Sequence, residues 1–338
     1  MAEKKLGQQT VKFNNPPSII STASIAGIKE GEGPLRDYYD MVLKDDLFGE
    51  ESWEKAESKL SRETVLLSLS KANLTPDKID YLFAGDLLNQ IISSSFSARE
   101  LKIPFFGLYG ACSTMTESLS MASMVIDGGY ADYAVATTSS HFCSAERQYR
   151  FPLEYGTQRP PTAQWTVTGS GAAVLAKNGN GPYVKFVTTG RVMDFGVKDA
   201  NNMGAAMVPA AADTILRHFK DTGLSPKDYD LIATGDLGEL GGELIKDVVA
   251  KEGYDMGSKY TDCGIEVYDT EKQIDVNAGG SGCGCSAITF CGYIYDQLVK
   301  KNLGRVLLVS TGALLSPTSS LQGESIPGIA HAVTIEMG

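Results

Sequence analysis

A chain of 338 residues, 43% of them hydrophobic, can bury one large core or two coupled ones. With 30 basic against 41 acidic residues, a formal charge of −11 and no Lys/Arg cluster, it lacks the basic surface that tracks a phosphate backbone, so nucleic acid is excluded as a partner. No apolar run reaches the roughly 18 residues of a spanning helix, the N-terminal MAEKKLGQQT has no apolar run behind its basic residues, and six scattered cysteines make no disulfide framework; the expectation is a globular protein made and kept inside a cell.

In chain order, the stretch from Lys29 to Glu51 is charged, glycine-rich and aperiodic, and reads as a solvated excursion near a subunit or partner contact. Trp53 to Lys71 has helical periodicity and leads through a Pro turn to a short apolar strand ending in Gly85-Asp86-Leu87. Gly110-Ala-Cys-Ser113 opens a helix through Ile126 that is crowded with small residues, as suits a helix buried between sheets. Apolar strands follow at Tyr133 to Thr137 and Gly169 to Leu175. Ala211 to Lys220 is helical and leads through a second Pro turn to a strand ending in Gly235-Asp236-Leu237. A glycine-rich turn, Asn277 to Gly282, precedes Cys283-Gly-Cys-Ser286, which opens a helix through Val299; strands at Val306 to Ser310 and Gly328 to Glu336 complete the chain.

These elements repeat. Leu74 to Leu87 and Leu224 to Leu237 share six of fourteen residues at an offset of 150. The two Cys-Ser pairs, Cys112-Ser113 and Cys285-Ser286, stand 173 apart, so the second copy carries 23 additional residues, expected as a loop or hairpin around Gly253 to Asp275. Helices alternating with short apolar strands argue for an α/β fold whose mainly parallel sheet is covered on both faces, in two halves at 1–180 and 181–338 that stack as layers. Cys283, Cys285 and Cys291 are too closely and unevenly spaced for a zinc site, and no metal is expected.

The strings Gly110-Ala-Cys-Ser113, Gly169-Ser-Gly-Ala-Ala-Val-Leu175, Asn277-Ala-Gly-Gly-Ser-Gly282 and Gly328 to Glu336 resemble the thiolase fold of condensing enzymes. That resemblance implies a duplicated, layered αβαβα architecture with two mixed, mainly parallel sheets. Ala84 to Gln90, Thr138-Ser-Ser-His141, Ala145 to Pro152 with Glu154-Tyr-Gly156, Met207 to Asp213 and Thr311 to Pro317 resemble, within that superfamily, the stage V sporulation protein AD family. The resemblance implies a non-catalytic homodimer without cofactor that binds dipicolinic acid (pyridine-2,6-dicarboxylic acid), alone or with calcium. It further implies loading of that acid into the developing spore, together with other stage V sporulation A proteins at the spore inner membrane. The alternative is an acyltransferase or condensing enzyme with Cys112 as nucleophile.

Cys112, with Ser113 beside it, sits at a helix start, where free N–H groups favour either a thiolate or an anionic ligand; otherwise it is a small residue that lets the helix pack closely. His141, at the end of a strand, and His331, in the last strand, are candidates to converge on it, whereas His218 is expected to be solvated and Cys285 to serve packing. Arg147 and Arg150 offer guanidinium forks for a carboxylate, or else pin their loop to Glu154 or to a partner subunit. The strand after the second repeat and the glycine-rich turn lack the histidines that condensing enzymes and thiolases place there, which favours binding over Claisen chemistry and requires a neutral Cys112 thiol. Asp86 and Asp236 are both read as turn caps at strand ends.

Overall fold

A computed structural model describes residues 3–149 and 158–338. In the first half, β1 (Lys5–Leu6), β2 (Thr10–Lys12), β3 (Ser18–Ala26) and β4 (Met41–Val42) precede the long helix α1 (Trp53–Lys71). Then come β5 (Tyr81–Gly85), α2 (Ile92–Leu101), β6 (Phe105–Gly107), α3 (Thr114–Asp127), β7 (Tyr133–Ser140), α4 (Phe142–Tyr149), β8 (Trp165–Thr166) and β9 (Gly169–Ala176). The second half runs β10 (Tyr183–Thr188), α5 (Met203–Thr222), β11 (Leu231–Thr234), α6 (Gly238–Lys251), β12 (Tyr260–Asp262), α7 (Cys263–Val267) and β13 (Gly280–Ser281). It ends with α8 (Cys283–Ile288), a π-helical turn leading into α9 (Tyr295–Val299), β14 (Arg305–Ala313), α10 (Pro317–Leu321) and β15 (Gly328–Glu336).

The strand order shows the duplication directly. One half reads β3-β9-β7-β5-β6 and the other β10-β15-β14-β11-β12, and the two meet where Tyr183 pairs with Ser18. In each half the outer three strands are parallel and the inner three antiparallel, which makes both sheets mixed. Helix α1 covers β3, β7 and β9 on one outside face, and α5 covers β14 and β15 on the other. Between the halves lies α3, touching β5 and β7 on one side and β14 and β15 on the other, with α8 alongside it. Its buried Ser118, Ser120, Ala122 and Ser123 are small enough for backbone to approach from both sheets. The layers are therefore αβαβα, as a thiolase-like fold requires.

Three expectations need correction. The 23 additional residues are not one surface loop. Tyr260 of β12 lies beside β11 as Phe105 of β6 lies beside β5, at an offset of 155, so five of the extra residues precede β12 and the other eighteen form α7 and the approach to β13. The stretch from Lys29 to Glu51 is partly core: Leu35, Tyr39 and Leu43 are buried, and the buried Glu30 accepts from the Thr168 N–H at 3.0 Å and from the Tyr268 hydroxyl. His218 is fully buried rather than solvated. Its ring nitrogens lie 2.7 Å from Thr188 Oγ1 and 2.7 Å from the Tyr229 hydroxyl, because α5 turns that face onto β10 and β15.

Burial pushes His218 down to about 3. A histidine whose folded value lies below its unfolded one contributes stability that is complete above the unfolded value and is lost as pH falls toward the folded one. Between pH 6.5 and 4 the unfolding free energy of His218→Gln is therefore expected to fall less steeply than that of the unsubstituted protein, by up to ~1.4 kcal/mol per pH unit in denaturant titrations. Equal slopes would place the charge on His218 in solvent.

Candidate functional site

The turn between β6 and α3 carries Cys112. It is drawn tight by its own residues: Thr114 Oγ1 donates to the Ala111 carbonyl at 2.6 Å and Ser113 Oγ to the Gly110 carbonyl at 2.7 Å. The consequence is a left-handed backbone at Ala111, φ 49°, an uncommon state for a residue with a side chain. Cys112 thus precedes the helix rather than beginning it, and Ser113 serves the turn, with its hydroxyl committed to Gly110. Against this turn lies Gly312 of β14, where a Cβ would stand 2.2 Å from the Gly110 carbonyl oxygen; only glycine permits that approach.

Cys112 lies on the wall of a cavity of about 360 Å³. Leu87, Ala111, Met203, Ala313 and Leu315 give it apolar surface, and Glu146, Tyr149, Arg159, Gln164, Asn201 and Ser281 give it polar groups. One flank is built by the short parallel pair of β8 and β13, which carries Thr166 and Ser281.

Behind Cys112 stands Asp236. Its Oδ1 accepts from Thr311 Oγ1 at 2.6 Å; its Oδ2 accepts from Ser281 Oγ at 2.8 Å and from the Gly282 N–H at 3.1 Å. The Cys112 sulfur lies 3.9 Å from that same Ser281 hydroxyl. Burial raises Asp236, with the hydrogen bonds from Thr311 and Ser281 working against it. Burial first, and then the nearby Asp236 charge, push the Cys112 thiol well above its usual range. The helix-start effect that would favour a thiolate is overridden, and the thiol is neutral.

The structure directs both candidate histidines away from this cavity. His141 Nε2 lies 2.8 Å from the Asp46 carbonyl oxygen and donates to it, so Nδ1 is the acceptor for the Cys143 N–H at 3.2 Å; burial lowers its pKa. His331 Nδ1 accepts from the Gly190 N–H at 3.2 Å, and burial lowers the ring to about 4. Neither lines the cavity. Arg147 is paired with Glu54 of α1 and lies over the Trp53 ring, half-exposed. Arg150, along with Glu154, falls outside the described residues. Cys285 lies in the central core, in the packing role expected of it.

Sequence reasoning passed over Arg159 and Gln164. The Arg159 side chain is 6% exposed, its guanidinium 4.8 Å from the Trp165 ring centroid, with Nη1 donating to the Gln164 carbonyl at 2.7 Å. Nη2 lies 3.0 Å from Glu146 Oε1, an ion-pair distance, but its N–H does not point at that oxygen and finds no hydrogen-bond acceptor among the described residues. Only the Arg-Pro-Pro string, a cation held in a stiff turn, marks this position in the sequence. Asp236 was visible as half of a repeated Gly-Asp pair, yet the halves differ. Asp86 caps, accepting the N–H groups of Leu88 at 2.9 Å and Ser94 at 2.7 Å, whereas Asp236 faces the cysteine.

Comparisons with known proteins agree with this architecture. Among solved structures, human mitochondrial 3-ketoacyl-CoA thiolase in complex with CoA superposes with a TM-score of 0.59 at 14% identity, covering 97% of this chain and 99% of that one. The 3-oxoacyl-[acyl-carrier-protein] synthase III of Aquifex aeolicus VF5 gives 0.57 at 12%, covering 95% and 99%. At such identities the likeness establishes the fold alone. The family model described as stage V sporulation protein AD matches residues 7–336. The stage V sporulation protein AD of Bacillus subtilis (strain 168) is 48% identical over 333 residues, 98% of each chain. By both measures, and with a thiolase-like fold, the chain belongs to the stage V sporulation protein AD family.

Proposed function

We propose that the Cys112 cavity binds dipicolinic acid without chemical turnover, and that this binding serves loading of the acid into the developing spore. The observation that carries this reading is that a guanidinium and a neutral cysteine line one cavity: Arg159 sets positive charge at the wall, and burial together with Asp236 keeps Cys112 protonated. An acyl-transfer site needs the reverse, a thiolate and a base within reach. No histidine lines the cavity among the described residues, so no imidazole there stands ready to take the thiol proton. The volume suits one small aromatic acid, with Leu87, Met203 and Leu315 as walls for a flat ring.

Membership of a sporulation family supports the setting. No helix among the described residues is long and apolar enough to cross a membrane, so action at the spore inner membrane rests on partner proteins, the other stage V sporulation A proteins. Arrival of the acid alone or with calcium, and pairing of two copies of the chain, belong to the same proposal.

Titration calorimetry with dipicolinic acid is expected to give saturable heat at one ligand per chain. Arg159→Met is expected to weaken binding about 10- to 100-fold, the cost of one charge-assisted hydrogen bond pair. The fluorescence of Trp165, beside Arg159, offers a second readout in a Trp53→Phe background. No heat, or an unchanged affinity in Arg159→Met, contradicts the proposal. Alkylation of Cys112 is expected to be slow at pH 7 and to rise only at a pH higher than that at which a free thiol reacts; fast alkylation near neutrality, or an acyl adduct after incubation with acetyl or malonyl thioesters, would turn the assignment toward the enzyme.

A further inference from the structure

The sequence holds two Asn-Gly dipeptides, Asn178-Gly179 and Asn180-Gly181, and both fall in the connection from β9 to β10. Asparagine followed by glycine is a reactive pair: the backbone nitrogen of the second residue attacks the side-chain amide carbon of the first, and glycine, with no Cβ, leaves the approach open. Attack requires that nitrogen to give up its proton. A backbone N–H held in a hydrogen bond gives it up less readily.

The two dipeptides differ in this respect. The Gly181 N–H donates to Ser18 Oγ at 3.1 Å, and Ser18 is fully buried. The chain just beyond is clamped as well, with the Ile19 N–H donating to the Pro182 carbonyl at 2.8 Å and the Val184 N–H to the Pro17 carbonyl at 3.0 Å. Gly179 is held only by its oxygen, which accepts from the Tyr183 hydroxyl at 2.7 Å. Its N–H has no acceptor among the described residues, and both Asn178 and Gly179 are exposed.

No other residue type fits at 179. A Cβ there would stand 2.3 Å from Ser18 Oγ and 2.6 Å from Ser18 Cβ. Ser18 opens β3 and pairs with Tyr183 where the two sheets meet, so the junction of the halves itself demands the glycine that makes Asn178 reactive.

We propose that Asn178 is a site of spontaneous deamidation and that the Ser18 hydroxyl protects Asn180 from the same reaction. Gly179 N loses its proton to solvent and bonds to Asn178 Cγ; the Cγ–Nδ2 bond breaks and ammonia leaves. Water then opens the cyclic imide at one carbonyl or the other. One opening gives aspartate at position 178. The other gives the isoaspartyl form, in which the main chain runs through the former side chain and is one methylene longer. The net exchange is water in and ammonia out, with one negative charge gained and no electron transferred.

The added methylene falls in a short span. The Lys177 N–H donates to the Asp132 carbonyl at 3.0 Å and the Gly181 N–H to Ser18, so the few residues between these anchors absorb the whole change. The isoaspartyl form is therefore expected to melt below both the unmodified protein and Asn178→Asp. Strand β9 begins beside Thr166 of the cavity wall, and Asn178 follows its far end, so the inference stands apart from the proposed function.

The test is incubation of the full chain in mildly alkaline buffer, folded and in denaturant, followed by peptide mapping with mass spectrometry and separation of isoaspartyl peptides. In the folded chain Asn178 is expected to convert about tenfold faster than Asn180, the rate equivalent of one hydrogen bond. In denaturant the two are expected to convert at similar rates. Ser18→Ala is expected to raise the rate at Asn180 toward that at Asn178, and the comparison of folded with denatured unsubstituted protein carries the test if that variant folds poorly. Equal rates at the two sites in the folded chain, faster conversion at Asn180, or an Asn178 that converts only in denaturant overturns the inference.

Discussion

The buried carboxylate of Asp236 is the constraint on which the site depends. It gathers hydrogen bonds from Thr311 on β14, from Ser281 on β13 and from the backbone at Gly282, and so pins the ends of three segments to one point. Those segments form the back of the Cys112 cavity. A carboxylate this deep is tolerated because its oxygens are satisfied by donors. Its charge, added to burial, works against ionisation of the neighbouring thiol. The same group that organises the pocket thus works against a thiolate at Cys112.

The duplicated halves show how one local pattern acquires two roles. Asp86 and Asp236 close the same Gly-Asp-Leu string on corresponding strands. Asp86 turns to the start of α2 and holds N–H groups there, a structural task within its own half. Asp236 turns to residues 45 and 75 positions further along the chain. The Cys-Ser pairs diverge in parallel: Cys112 sits on a strained turn at the cavity, and Cys285 sits inside α8 in the core.

What was legible in the sequence follows from which forces are local. Helix α1 and strand β15 coincide with the stretches read from the sequence, α1 because its apolar spacing encodes the face it buries and β15 because a short, nearly continuous apolar run stands out where both sides of a strand are buried. The layered fold followed from the repeat and the alternation of elements. The site was legible only at Cys112. His141 and His331 lie on plausible strand ends, but the direction of a ring is decided by its partner, the Asp46 carbonyl in one case and the Gly190 N–H in the other, and no pattern near the histidine announces either. Arg159 and Gln164 flank a Pro-Pro string without periodicity and enter the site only through the pairing of β8 with β13. His218 was misjudged because its charged neighbours, Arg217 and Lys220, point outward while its own face of α5 turns inward.

The central claim is that a fold shared with condensing enzymes here holds an acid instead of transforming an acyl group. A crystal structure of the protein soaked with dipicolinic acid tests it most directly. The account predicts unreacted ligand in the Cys112 cavity, one carboxylate within 3.2 Å of the Arg159 guanidinium and the Cys112 sulfur unmodified. Ligand bound elsewhere, or a covalent bond to the Cys112 sulfur, would contradict it.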